Sequence, residues 1–274
     1  MPLVSLLSPV ADLVHDRVMT SERSPRLCVL IDADNVPAGY ADAIFEEVAS
    51  LGEASVRRIY GDWSAPRLNA WAKKVTALGL VADQQFSNVK GKNASDIGLV
   101  IAAMDFLHSG LFDAFVLVSS DSDFTRLAAR IREQGLDVYG IGEKKTPEAF
   151  RMACKRFIYV ENLGVGEGAD EGAADQPASA ADQREGRGAG GGPIRREAKE
   201  PPLKAVPLIA AAMRAIDPEG EWYSLGQIGQ FVTQANPDFD TRTYGVGKLS
   251  DLIRLLSRFE VRQDGTRLMV RDKA

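Results

Sequence analysis

The chain of 274 residues carries 33 lysines and arginines against 38 aspartates and glutamates, a formal net charge of −5, and 45% hydrophobic residues. That balance excludes a protein that coats nucleic acid by bulk charge, though not one with a local basic surface. The length allows one medium core and a second small one, and no apolar run approaches the roughly 18 residues of a membrane span.

Residues 1–25, "MPLVSLLSPVADLVHDRVMTSERSP", are mildly apolar but lack a basic start and are interrupted by Pro9, Asp12 and Asp16. They read as a frayed tail or a short amphipathic helix rather than a signal peptide. Strands are expected at 26–35, 55–63, 80–86, 114–120 and 136–142. Helices are expected at 37–52, 65–79, 93–110, 122–135 and 146–157. The helix at 93–110 is apolar almost all round and is therefore expected to be buried. Strands alternating with helices predict an α/β fold, a parallel sheet covered on both faces. Cys28 and Cys154 stand apart with no C-x-x-C, and His15 and His108 are isolated. This argues against a zinc site and for a cytoplasmic chain.

Residues 164–202 have no aromatic and almost no branched apolar residue. Such a segment cannot bury enough surface to offset its ordering entropy, so a disordered linker is expected between domains at 26–163 and 203–274. As a flexible coil it would span roughly 35 Å. The second domain predicts helices at 203–217 and 224–237 and a third carried within 243–259, with Pro207 delaying the first. A hairpin at 260–271 follows, turning at Asp264-Gly265. Three helices and a hairpin are the layout of a winged helix.

Ligands of an open parallel sheet bind beyond the carboxyl ends of its strands. Asp32 and Asp34 end the first strand, Asp96 opens the helix after the third, and Asp121 and Asp123 follow the fourth. Taken singly, each has a plainer reading: Asp96 favours a helix N-terminus, Ser120, Asp121 and Ser122 are good N-caps, and Asp34 and Asn35 suit a turn. Together they would gather like charges in one crevice, a cost that a divalent cation removes. Carboxylate oxygens suit Mg²⁺ or Mn²⁺. Asp34 is expected to point away, because adjacent strand positions alternate faces. Lys90 and Lys92, which flank Asp96, are candidates for phosphate contact. Lys144, Lys145, Arg151, Lys155 and Arg156 are candidates for the same role or for an ordinary charged surface.

"LIDADN", "KGKNASDIGLVIAAMD" and "LVSSDSDF" resemble, in order and spacing, the three motifs of NYN domains, the PIN-like ribonuclease domains also grouped as LabA or DUF88. Ser120 stands where glycine is commoner in that family. "YSLGQIGQFVTQANPDFDTRTYGVGKLSDLIRLL" resembles the OST-HTH or LOTUS winged helix through Tyr244, Gly245, Lys248, Leu249 and Leu252. The resemblance implies that Asp32, Asp96, Asp121 and Asp123 hold Mg²⁺ or Mn²⁺ and are catalytic. Asn35, Ser119 and Ser120 would orient water or phosphate. It implies a ribonuclease leaving 5′-phosphate ends. Lys248 would contact RNA, expected single-stranded, and the second domain could instead take a protein partner. The rival readings are an RNA-binding protein with an idle acidic site, a DNA-binding regulator, and a phosphatase of the haloacid-dehalogenase type using "DADN".

Overall fold

Six strands form one parallel sheet: β1 (Arg26–Asp32), β2 (Glu53–Gly61), β3 (Val81–Gln84), β4 (Ala114–Val118), β5 (Asp137–Gly142) and β6 (Arg156–Tyr159). Their order is β3-β2-β1-β4-β5-β6. The computed structural model describes residues 23–85, 94–164 and 199–274, so residues 1–22, the lysines at 90 and 92 and most of the expected linker lie outside the described residues.

β1 reads as the continuous apolar run Leu27–Ile31 because it is buried on both faces. Leu27, Val29 and Ile31 join α1 (Ala41–Leu51) and α2 (Asn69–Ala77) through Ile44, Val48 and Trp71. Cys28 and Leu30 point to the opposite core, built with α3 (Ala94–Ser109), α4 (Thr125–Glu133) and α5 (Glu148–Ala153). Burial pushes the Cys28 and Cys154 thiols up to about 12. Both therefore stay protonated and serve as small core residues.

Two expectations are corrected. α3 is not buried all round: Leu99, Ala103 and Leu107 face the sheet, but Ile97 and Ile101 are 62% and 57% exposed. It belongs to the single outer layer over β1 and β2, so one side faces out whatever its composition. The helix expected over 146–157 spans only Glu148–Ala153. Cys154 is already extended, and the β-favouring run after it becomes the sixth strand. The third helix of the second domain, α8 (Leu249–Arg254), lies within 243–259 as expected. Asp240 caps a 3₁₀ turn over Thr241–Tyr244, and that turn ends at Gly245, whose φ of 84° an L-residue with a side chain rarely adopts.

The second domain otherwise follows its pattern. α6 (Val206–Ile216) starts with Pro207 in its first turn, and α7 (Leu225–Ala235) packs against it through Ile209, Met213, Ile228 and Val232. β8 (Phe259–Asp264) and β9 (Arg267–Asp272) form the wing, with Gly265 at a φ of 57° in the turn. A two-residue strand, β7 (Tyr223–Ser224), adds to β9 and was not expected. No described helix is long and apolar enough to cross a membrane.

Candidate active site

The strand order reverses between β1 and β4: the chain moves from β1 towards β3 on one side and from β4 towards β6 on the other. The two connections part there, leaving a crevice beyond the carboxyl ends of these strands. Both strand ends that carry acidic residues open into it.

Asp32 is the last residue of β1 and is only 1% exposed. Its carboxylate accepts from Asn35 Nδ2 at 2.7 Å, Ser119 Oγ at 2.8 Å and the Asp34 backbone N–H at 3.1 Å. Burial raises its pKa, and the hydrogen bonds from Asn35 and Ser119 oppose the rise. Ser119, likewise 1% exposed, hangs its backbone N–H on Ile141 and accepts from the Asp121 N–H at 3.1 Å. A single hydroxyl thus ties β1 to the start of the acidic loop. Asp121 then caps the 3₁₀ turn Ser122–Phe124 by accepting from the Asp123 N–H at 2.9 Å.

Asp96 arrives in the first turn of α3. Carboxylate oxygens of Asp96, Asp121 and Asp123 lie within 4.8 Å of one another. Burial pushes the Asp96 carboxyl up to about 7, reinforced by the charges of Asp32, Asp121, Asp123 and Asp34. Like charges held this close to Asp96 make it harder to ionise. Asp121 caps its turn through Oδ1 and stands in the acidic cluster as well. Three half-exposed or exposed carboxylates offer the hard oxygen donors that Mg²⁺ or Mn²⁺ prefers, so the donor set fits such an ion.

The sequence places four acids together; Asp96, Asp121 and Asp123 gather in a cluster, and the buried carboxylate of Asp32, which accepts from Asn35, Asp34 and Ser119, acts on Asp96 by its charge more strongly than Asp121 or Asp123 does. Ser119 and Asn35 both hydrogen-bond the Asp32 carboxylate. Ser120 is turned to β5, its Oγ accepting from the Glu143 N–H at 2.9 Å. Asp34 does leave the cluster, pairing with Arg67 at 2.8 Å. The cause is the turn after β1 rather than strand alternation, since the strand has already ended. Lys248 stands exposed at the N-cap of α8 in the second domain. Lys145 pairs with Glu143 and Lys155 with Asp137, while Arg151 and Arg156 bond elsewhere, to Asp238 and Glu47.

Two features escaped the sequence. Arg67, brought beside the crevice by Asp34, follows a proline in an unremarkable "APRLNAW". Trp222 lies between two guanidiniums, Arg262 at 4.2 Å and Arg271 at 4.9 Å from its ring centroid. Only the wing's register brings these three together. Arg271 is held by Glu221 and Glu260, Arg258 by Asp272 and Arg254 by Asp251. Exposed Arg262 and Arg267 form no ion pair among the described residues.

The NYN domain family matches residues 26–161, and the OST-HTH/LOTUS domain family matches residues 199–270. No curated protein matches the chain. Among solved structures, a protein of unknown function from Vibrio parahaemolyticus is similar at 20% identity and a TM-score of 0.43. That similarity spans 51% of this chain and 94% of the other.

Proposed function

The chain carries an NYN domain followed by an OST-HTH/LOTUS domain, and on that premise we propose that it is a divalent-metal-dependent ribonuclease with its own RNA-holding domain. The observation that supports this best is the convergence of Asp96, Asp121 and Asp123 within 4.8 Å at the sheet's switch point. These three residues would hold Mg²⁺ or Mn²⁺. When bound, the ion supplies Lewis acidity and neutralises charge at a phosphodiester.

The chain's own residues do the rest. Ser119 and Asn35 hold the Asp32 carboxylate, whose charge acts on Asp96. Ser119 also sets where the Asp121 loop starts. Arg67, 45% exposed, presents a cation at the rim suited to a phosphate of the passing strand. The burial of Asp32 disfavours the phosphatase reading, in which that residue would have to reach substrate as a nucleophile.

The test is cleavage of an end-labelled single-stranded RNA by purified protein with Mn²⁺ or EDTA. We expect cleavage with Mn²⁺, none with EDTA, and none from Asp121→Asn. Cleavage by Asp121→Asn at the wild-type rate would refute the assignment.

The wing is the proposed RNA-holding face. Arg262 stacks on Trp222 and is exposed, so it can meet a phosphate or a splayed base. Arg262→Ala should weaken binding of single-stranded RNA by roughly tenfold and flatten the salt dependence by about one phosphate contact. Fluorescence anisotropy across a salt series reads both, and an unchanged slope would remove Arg262 from the interface.

A further inference from the structure

β6 is the outer strand of the six-stranded sheet, and an outer strand leaves backbone groups unpaired. Here the Phe157 N–H donates to the Pro237 carbonyl at 2.8 Å, so a segment of the second domain covers that edge. Side chains on both sides of the contact match it in charge and hydrogen bonding. Glu47 of α1, whose side chain is 12% exposed, receives Arg242 at 2.7 Å and Arg156 at 3.4 Å. Arg242 is itself gripped by Asp240 at 2.6 Å. Asp238 accepts from Tyr159 Oη at 2.7 Å and also pairs with Arg151. Asn162 donates to Thr243 at 2.8 Å, and both residues are buried.

These are not passing surface pairs. A carboxylate as enclosed as that of Glu47 is costly to keep charged unless its partners stay in place, and removing one partner of such a pair is strongly destabilising.

We propose that the OST-HTH domain is docked on the β6 edge as a permanent partner of the NYN domain, so that the linker does not set the distance between them. β6 lies three strands from β1, about 15 Å across the sheet. On the ribonuclease reading given above, which this inference builds on, RNA gripped by the wing meets the acidic crevice at a fixed distance, as on a ruler. A free tether would instead let it sample phosphates at random.

The dock can be read without RNA. A protease site inserted within residues 165–198 allows the intact folded chain to be nicked and then passed over a sizing column at micromolar concentration. We expect the two pieces to elute together. Arg151→Glu alone or Asp238→Arg alone should weaken their association at least tenfold, roughly the cost of stranding one partly buried, hydrogen-bonded charge, and the double exchange should restore it. Separation of the wild-type pieces overturns the dock, and failure of the double exchange to restore association removes this charge pair from it. A second arm inserts 34 Gly/Ser residues in the same segment. A ruler keeps cleavage positions and RNA affinity unchanged. A tether of doubled length would lower effective concentration by roughly threefold, and that loss would overturn the fixed distance. If the nicked pieces hold together but RNA is never cut, the ribonuclease reading fails and the dock stands.

Discussion

Asp96→Asn is expected to lower RNA cleavage by roughly 100-fold or more while making the metal-free protein more stable. The two effects have one cause. The folded chain holds the Asp96 proton up to a pH of about 7, against an ordinary value of 3.8. Folding therefore takes up a proton between these values, and stability falls as pH rises from about 4 to about 7, then stays level. Asparagine removes that fall. Because Asp96 is only half-buried, solvent screens much of the effect, and on the order of 1 kcal/mol survives. Wild type and variant should then melt alike near pH 4, and the variant roughly 2–4 °C higher at pH 8 in EDTA. Scanning calorimetry at the two pH values reads the difference. A variant less stable at pH 8 would mean that Asp96 is held by native interactions rather than strained by its neighbours.

The second large effect is metal-linked stability. An ion held by the native state alone stabilises it by about 2.7 kcal/mol at 100 times its dissociation constant. For a domain of this size that is roughly 5–10 °C in Tm. Mn²⁺ should raise the wild-type Tm by that amount, and should raise it little in Asp121→Asn or Asp123→Asn, which keep the fold but lose a ligand from the cluster. Equal shifts in wild type and variants would place the ion elsewhere.

The fold was legible wherever one local signal decided it. β1 shows as an apolar run because both faces are buried, and Gly79, at a φ of 63°, stops the chain just after α2. The acidic residues were legible as strand ends, which is where a parallel sheet opens. What they do there was less so. Nothing in "LIDADN" says that Asp32 is enclosed, because a hydroxyl that meets its carboxylate, that of Ser119, lies 87 residues away. β6 was hidden by a short helix that stops at Ala153 before a stretch readable as either state. The dock was invisible for the same kind of reason. Glu47, Arg151 and Arg242 look like ordinary surface charges in one dimension, and only the folded edge of the sheet brings them into register. The lysines at 90 and 92 lie outside the described residues, so their proposed phosphate contacts rest on sequence.

The central claim is that Asp96, Asp121 and Asp123 together hold a divalent cation. Titration of the full-length protein with Mn²⁺, followed by the electron paramagnetic resonance signal of the free ion, tests it most directly. At least one Mn²⁺ should be taken up per chain at neutral pH, and affinity should drop at least tenfold in Asp121→Asn, whose fold is checked by its melt in EDTA. Wild type that leaves the free-ion signal untouched, or a variant that binds Mn²⁺ as tightly as wild type, would contradict it.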